Sequence, residues 1–263
     1  MVLILGVLVG LVLGLTGAGG GMLAVPALVF GMGWSVAQAA PVALLAVAGG
    51  AWMGAIDGLR QGLARYRAAL VMALAALPST TLGLMLAQRL PALMMSVLFA
   101  CVMVVAAVRI LRSPGLVDHE HAVCRVNAGS GRFIWTPRTF MVITGFGLGT
   151  GLLTGLLGVG GGFVIVPVLV RYTELSMAAV VATSLMVVAL VSSLGLVTAW
   201  LQGVHPPLAV ALPFLCAVMA GMLAGRLLTR HVSARASQRG FALLMLAVAV
   251  VMLGQAGRRA LGV

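Results

Sequence analysis

One glycine-rich stretch occurs twice in the sequence, and this repeat constrains the fold more than any other feature. Residues 14–30 are GLTGAGGGMLAVPALVF and residues 155–171 are GLLGVGGGFVIVPVLVR, displaced by 141 positions and identical at 10 of 17. Each copy is an apolar run, three consecutive glycines and a second apolar run with a proline near its start. Because glycine destabilises a helix interior by about 1 kcal/mol relative to alanine, three in a row predict an interrupted helix.

The composition places these interrupted helices in a membrane. Of the 263 residues, 62% are hydrophobic and 8% are charged, whereas soluble domains have about 25% charged residues. Apolar stretches of the length that spans a bilayer, about 20 residues, recur along the whole chain. We therefore predict an all-α polytopic membrane protein surrounded by a lipid bilayer.

The repeat extends beyond the glycines. With one inserted residue, Gly83 matches Gly225, so the duplication covers nearly the whole chain. We predict a first membrane repeat (1–108), a polar linker (109–138) and a second membrane repeat (139–263). Each repeat is predicted to contain a broken or re-entrant helix pair and three spanning helices, which gives eight to ten membrane segments in total.

The 16 basic residues are all arginine and predict the orientation. If each glycine-rich segment enters and leaves by one side, thirteen arginines lie on one face and three, Arg89, Arg258 and Arg259, on the other. If the first limb crosses instead, the split is 10 to 6. The positive-inside rule favours the first arrangement, with inverted repeats, a cytoplasmic linker and both termini on the outer side of the membrane. A nucleic-acid partner is not expected, because the arginines flank apolar segments.

The glycine breaks predict a site for an anion. The second limb, about ten residues long, rises only ~15 Å, half of a ~30 Å hydrocarbon core, so its glycine end should lie near the midplane. A helix that begins there, with Pro26 or Pro167 close to its first turn, presents free N–H groups and the positive end of its dipole. The alternative is close helix packing, to which we assign Gly6, Gly10 and Gly14.

The paired segments GAGGGMLAVP and GVGGGFVIVP resemble those of the sulfite exporter TauE/SafE family of bacterial membrane permeases. The resemblance covers nearly the whole chain. It implies a secondary transporter that moves a small sulfur-containing anion, such as sulfite or an organosulfonate, across the inner membrane. The family pattern ATSL is present at Thr183 and Ser184, whereas the first half has Val42 and Ala43 at these positions.

The candidate site follows from these observations. A buried carboxylate couples many carriers to an ion gradient, and Asp57 is the one acidic residue near a span, although capping or solvation is the favoured role. The predicted substrate-binding residues are Gly19, Gly20, Gly21, Gly160, Gly161, Gly162, Thr183 and Ser184, supported at the breaks by Gly17, Pro26, Gly158 and Pro167.

The sequence disfavours some functions other than transport and leaves others open. An integral membrane enzyme is not expected, because the spans offer almost no acids, histidines or metal ligands, and no cofactor or metal is predicted. His119, Glu120 and His121 are assigned to a solvated loop. The alternatives that stay open are an exporter of another small metabolite on a similar inverted-repeat fold, and a non-transporting assembly subunit. The anion, the direction of transport, the coupling ion and the oligomeric state are not determined by the sequence.

Overall fold

The computed structural model describes residues 1–17, 20–112, 133, 135–228 and 234–260, which form ten α-helices. The helices are α1 (Val2–Thr16), α2 (Gly21–Met32), α3 (Val36–Arg60), α4 (Tyr66–Arg89), α5 (Ala92–Arg112), α6 (Pro137–Leu157), α7 (Gly162–Tyr172), α8 (Met177–Leu201), α9 (Leu208–Leu228) and α10 (Ala234–Ala260). The all-α prediction is confirmed. Most of the predicted linker lies outside the described residues.

Equivalent helices of the two halves begin with equivalent caps. The Ser35 hydroxyl accepts a hydrogen bond from the Gln38 backbone N–H at the start of α3, and the Gln38 side chain accepts one from the Ser35 N–H. Ser176, 141 positions later, accepts from the Ala179 N–H at the start of α8. These bonds satisfy N–H groups that have no partner within their own helix. The two central helices therefore start at corresponding positions and are both 25 residues long.

Seven of the described helices are long and apolar enough to cross a membrane: α3, α4, α5, α6, α8, α9 and residues 236–257 of α10. In contrast, α1 has 15 residues and rises about 22 Å, which is less than a ~30 Å hydrocarbon core. Its counterpart in the second half, α6, has 21 residues. The short limbs after the breaks, α2 and α7, have 12 and 11 residues. The halves thus share an order of elements but differ in the length of the first limb.

The helices of the two halves are interlocked. The most apolar windows of α3 and α8 are 72% and 67% buried, against 33–44% for the other long helices, so α3 and α8 form the centre. Around them α1 packs on α9, α4 packs on α6 and α5 packs on α10. In the repeat, α1 corresponds to α6 and α9 corresponds to α4. The α1–α9 pair and the α4–α6 pair are therefore equivalent contacts.

Glycines allow these pairs to approach at backbone distance. A Cβ on Gly14 of α1 would lie 2.5 Å from the Met222 carbonyl oxygen of α9, and one on Gly155 of α6 would lie 2.8 Å from a backbone nitrogen of α4. Neither helix could keep its position if these residues carried a side chain. The packing role predicted for Gly6, Gly10 and Gly14 is confirmed, since each faces α9 in this way.

Candidate functional site

Both triple-glycine stretches interrupt a helix. Residues 17–20 separate α1 from α2, and residues 158–161 separate α6 from α7. Gly160 and Gly161 have φ angles of 72° and 66°, a left-handed backbone that residues with a Cβ adopt only at a cost. The predicted break is therefore present in both halves. Gly19, one of the predicted site residues, lies outside the described residues.

The two breaks meet beside the midpoints of the central helices. A Cβ on Gly21 would lie 2.9 Å from the Val159 carbonyl oxygen, so the breaks touch at backbone level. The Val47 side chain lies 3.0 Å from the Cβ position of Gly21 and 3.3 Å from that of Gly160, and the Val188 side chain lies 3.3 Å from the latter. Val47 and Val188 are the twelfth residues of α3 and α8 and correspond to each other in the repeat.

Each break continues into a helix that starts without a side-chain cap. The N-cap residues are Gly20 for α2 and Gly161 for α7, and neither start carries a side-chain cap hydrogen bond. A glycine cap has no side-chain oxygen, so the first-turn N–H groups rely on other acceptors. Together with the positive end of the helix dipole, this arrangement favours an anionic ligand.

The prolines lie deeper in these helices than predicted. Pro26 and Pro167 are the sixth residues of α2 and α7, which begin at Gly21 and Gly162. The prediction of a position close to the first turn is therefore wrong by about one turn, because the last glycine of each triplet is already helical. In the second turn a proline removes a hydrogen bond, so the carbonyl of Met22 receives none from Pro26.

The two hydroxyls predicted from the family pattern both have protein partners. The Thr183 hydroxyl accepts a hydrogen bond from the Arg65 backbone N–H at 3.0 Å, which holds the α3–α4 connection against α8. The Ser184 hydroxyl donates to the Val181 carbonyl of its own helix at 2.9 Å. The Val181 side chain contacts Gly17, so this part of α8 lies beside the first break rather than the second.

Three other buried hydroxyls, two of which lie beside the second break, were missed in the sequence. The side chains of Thr80, Thr150 and Ser192 are at most 1% exposed, and their hydroxyl oxygens have no hydrogen-bond partner among the described residues. The Ser192 hydroxyl lies against Gly160, and the Thr150 methyl lies against Gly161. An unpartnered buried hydroxyl costs about 1–3 kcal/mol, so these three oxygens are available to a polar ligand or to water.

The sequence does contain a signal for two of these hydroxyls. Aligned at the 141-residue offset, Thr150 corresponds to Val9 and Ser192 corresponds to Ala51. A position that is polar in one half and apolar in the other indicates that the two halves have different roles there. The difference in polarity points to a functional position only because the structure buries these two side chains beside a break.

A cavity of about 480 Å³ opens at the end of the bundle where α2 connects to α3 and α8 connects to α9. The polar side chains in its wall are Gln38, Gln88 and His205, together with Trp34. Its inner wall includes Ala40, whose Cα lies 2.6 Å from the Cβ position of Gly158. The cavity therefore extends from the surface to a residue that packs against the first glycine of the second break.

An ion pair lies at the opposite end of the bundle. Arg226, near the end of α9, contacts the carboxylate of Asp57, near the end of α3, and the Gln61 amide donates to the same carboxylate at 2.7 Å. The Arg226 and Asp57 side chains are 35% and 40% exposed, so the pair stabilises the fold by at most about 1 kcal/mol. In the described part of the chain, no three His, Cys, Asp or Glu residues form a metal site. His119, Glu120 and His121 lie outside that part.

These features define a multi-pass membrane protein in which two interrupted helices meet at the centre of the bundle and a cavity extends towards one of them. That arrangement is typical of secondary transporters. The model of the family described as "Sulfite exporter TauE/SafE" matches residues 2–252, and the chain belongs to this family. The protein is accordingly a membrane transporter and not an enzyme.

Relatives with curated names agree with this class. The chain is 28% identical over 256 residues to a "Probable membrane transporter protein" of Xylella fastidiosa strain Temecula1, covering 94% of this chain and 92% of the relative. It is also 28% identical over 253 residues to a protein of the same name from strain 9a5c, with the same coverage. No solved structure matches the chain.

Proposed function

We propose that this transporter carries a small sulfur-containing oxyanion, such as sulfite or an organosulfonate, across the bacterial inner membrane. The substrate is bound where the two glycine breaks meet. The observation that carries the proposal is the convergence of both breaks on Val47, midway along α3, with Val188 at the equivalent position of α8 beside the second break. The family to which the chain belongs is named for sulfite export, which supports the class of anion.

The proposal includes an inverted relation between the halves, which is supported by reciprocal contacts. A Cβ on Gly54 of α3 would lie 2.6 Å from the Leu185 side chain, and one on Gly195 of α8 would lie 3.5 Å from the Leu44 side chain. The second contact is the first one with both residues exchanged for their repeat equivalents. These pairings support an antiparallel arrangement of α3 and α8, and in this proposal the halves are related by a two-fold axis perpendicular to the helices.

The binding chemistry in this proposal uses backbone rather than charged side chains. The residues assigned to the anion are Gly19, Gly20, Gly21, Gly160, Gly161 and Gly162, with Thr183 and Ser184 nearby. Backbone N–H groups at the starts of α2 and α7 supply the donors, and the helix dipoles supply a positive potential in a medium of low dielectric constant. A site of this kind binds an anion without holding it as tightly as an arginine would, which suits release on the other side.

Access to the site is unequal from the two ends of the bundle. The cavity lined by Trp34, Gln88 and His205 extends towards the second break from the end predicted to face outside. The ion pair between Arg226 and Asp57 lies at the end predicted to face the cytoplasm. If the two repeats exchanged conformations, the cavity would close and the end with the ion pair would open. Alternating access proceeds in this way in inverted-repeat folds.

The test is anion flux into liposomes that contain the purified protein, with two matched glycine variants. Gly160→Ala and Gly33→Ala both place a Cβ on a glycine with positive φ, 72° and 67°. At Gly160 the new methyl meets the Ser192 hydroxyl, whereas at Gly33 nothing lies within 4 Å. We expect sulfite or methanesulfonate flux to be lost in Gly160→Ala and kept in Gly33→Ala, with both variants monodisperse in detergent.

Two results would contradict the proposal. Equal flux in the two glycine variants would mean that the substrate does not bind at the second break. Flux of carboxylates or amino acids by the unmodified protein, with none of sulfite, sulfonates or sulfate, would favour an exporter of other metabolites on the same fold.

A further inference from the structure

Side-chain bonds between the two halves hold together the end of the bundle opposite the cavity. The Thr183 hydroxyl, near the start of α8, accepts a hydrogen bond at 3.0 Å from the N–H of Arg65, in the connection between α3 and α4. At the same end, Arg226 of α9 contacts the carboxylate of Asp57 in the last turn of α3. We call the Thr183–Arg65 bond and the Asp57–Arg226 pair the latch.

Close packing accompanies the latch. A Cβ on Gly58 of α3 would lie 2.7 Å from the Ala182 Cβ of α8 and 3.7 Å from the Ala64 Cβ of the α3–α4 connection. Ala182 and Ala64 are 5% and 6% exposed. The latch therefore lies next to a contact in which α3, α8 and the connection exclude solvent from this end of the bundle.

The repeat equivalents of this contact are separated by the cavity. At the 141-residue offset, Gly58 corresponds to Ala199 and Ala182 corresponds to Pro41. Ala199 and Pro41 both line the cavity of about 480 Å³. One pair of positions is thus in contact at the latched end and faces open space at the other end.

The cavity end lacks the chemical groups that form the first bond of the latch. Val42 stands at the position equivalent to Thr183 and has no hydroxyl. The position equivalent to Arg65 is Pro206 or Pro207, depending on where the inserted residue is placed, and proline has no backbone N–H. Both the acceptor and the donor are therefore missing at the end that is open.

The ion pair of the latch has uncharged equivalents as well. Asp57 corresponds to Thr198, and Arg226 corresponds to Leu84 beyond the inserted residue. The second correspondence holds in space, because the backbone nitrogens of Arg226 and Leu84 lie 2.9 Å and 2.8 Å from the Cβ positions of equivalent glycines in α1 and α6. Leu84 lines the cavity, and the Thr198 hydroxyl donates to the Leu194 carbonyl of its own helix at 2.7 Å.

We propose that the latch gates transport at the end opposite the cavity, and that Thr183 and the Asp57–Arg226 pair keep that end closed while the cavity is open. Only this end carries the bonding groups, so opening it breaks bonds that the cavity end does not regain. The state with an open cavity is therefore favoured when no substrate is bound. The inference rests on the proposed transport function, and it assigns the threonine of the family pattern to gating.

Single cysteines at equivalent positions report which end is open. Ala64→Cys places a thiol in the α3–α4 connection beside the latch, and His205→Cys places one in the cavity wall. Both are made in protein whose native cysteines, Cys101, Cys124 and Cys216, are replaced by alanine. A hydrophilic maleimide is added to the purified protein in detergent, where it reaches both ends. The thiol at position 64 should react slowly and the one at position 205 rapidly, since Ala64 is 6% exposed and His205 is exposed.

Variants of the latch should accelerate labelling at position 64. Thr183→Val and Arg226→Leu each introduce the residue that the cavity end carries at the equivalent position. We expect Thr183→Val to accelerate the labelling about fivefold, as for loss of one hydrogen bond. For Arg226→Leu we expect at most about a fivefold acceleration, and less at high salt. Thr183→Ser keeps the hydroxyl and should restore slow labelling.

Trp52→Phe is the matched control. It removes another 3.0 Å hydrogen bond between α3 and α8, from the Trp52 indole to the Ser193 hydroxyl, nearer the middle of the bundle. A general loosening of the helices would accelerate labelling at position 64 in this variant too, whereas a gate responds only to the latch. We therefore expect Trp52→Phe to label at the rate of the protein with the intact latch.

The outcomes separate this inference from the proposed function, because labelling requires no transport. Slow labelling at position 64 in both Thr183→Val and Arg226→Leu overturns the inference, and so does equal acceleration in Trp52→Phe. Anion flux in liposomes is measured on the same proteins. If the labelling follows the latch but no anion is transported, the proposed function fails and the latch is upheld. Thermal unfolding midpoints identify misfolded variants, and Arg226→Leu, which changes a partly exposed side chain, carries the test if Thr183→Val is misfolded.

Discussion

Replacing Gly147 by alanine tests the contact between α6 and α4, through which the two halves interlock. A Cβ at Gly147 would lie 2.6 Å from the Met72 carbonyl oxygen and 3.0 Å from the Ala75 Cβ. A backbone carbonyl cannot move aside as a flexible side chain can, so the two helices must separate. Overpacking of this kind costs about 1–3 kcal/mol.

Two neighbouring glycines of α6 supply the control. Gly145 and Gly149 are exposed, and a Cβ on either would have no atom within 4 Å. Alanine is favoured over glycine in a helix interior by up to about 1 kcal/mol at all three positions. This gain cancels when Gly147→Ala is compared with Gly145→Ala and Gly149→Ala. The difference in the free energy of unfolding, about 1–3 kcal/mol, is therefore the steric term alone.

The assay is the midpoint of thermal unfolding of the purified variants in one detergent, followed by tryptophan fluorescence. At about 2–4 °C per kcal/mol for a chain of this size, Gly147→Ala should unfold about 2–12 °C below the two control variants. The controls should unfold at or slightly above the midpoint of the unmodified protein. If Gly147→Ala proved as stable as Gly149→Ala, α6 would not pack on α4 at backbone distance, and the interlocked arrangement would be refuted.

Three further substitutions test individual contacts, each by the free energy of unfolding in a mixed-detergent titration. Trp52→Phe removes the 3.0 Å hydrogen bond from the indole N–H to the Ser193 hydroxyl between α3 and α8 and should destabilise the protein by about 0.5–1.5 kcal/mol; no change would mean that the bond contributes nothing. Asp57→Asn breaks the half-exposed ion pair with Arg226 and should cost at most about 1 kcal/mol, less at high salt; a loss of several kcal/mol would contradict this. Gly62→Ala adds a Cβ at φ 69° with open space around it, so only backbone strain of about 1–2 kcal/mol is expected, and a larger loss would indicate an unseen clash.

Several features could be predicted from the sequence because they depend on short stretches of chain. The lengths of the apolar runs predict membrane helices along the whole chain, and three adjacent glycines predict where a helix breaks. Even here the position of Pro26 was misjudged by about one turn, because the last glycine of the triplet joins the helix.

The residues of the candidate site could be predicted only in part. The glycines of the breaks were identified because their conformation is a local property. Thr183 and Ser184 were chosen from a family pattern, and the structure gives their hydroxyls protein partners instead. Thr80 and Ser192 went unnoticed because a hydroxyl in an apolar helix has no distinguishing local signal. Its role depends on whether a neighbouring helix supplies a partner.

The sequence by itself therefore determined the membrane class, the two-fold repeat and the pair of helix breaks, since hydrophobic length and backbone propensity act within a few turns of one segment. Only the tertiary structure decided that α1 packs on α9 and α4 on α6, which are contacts between segments of different halves. That pairing brings α4, α6 and α8 together, and it leaves the hydroxyls of Thr80, Thr150 and Ser192 buried without a hydrogen-bond partner among the described residues. Burial and hydrogen-bond satisfaction are properties of packed neighbours, which no single segment encodes.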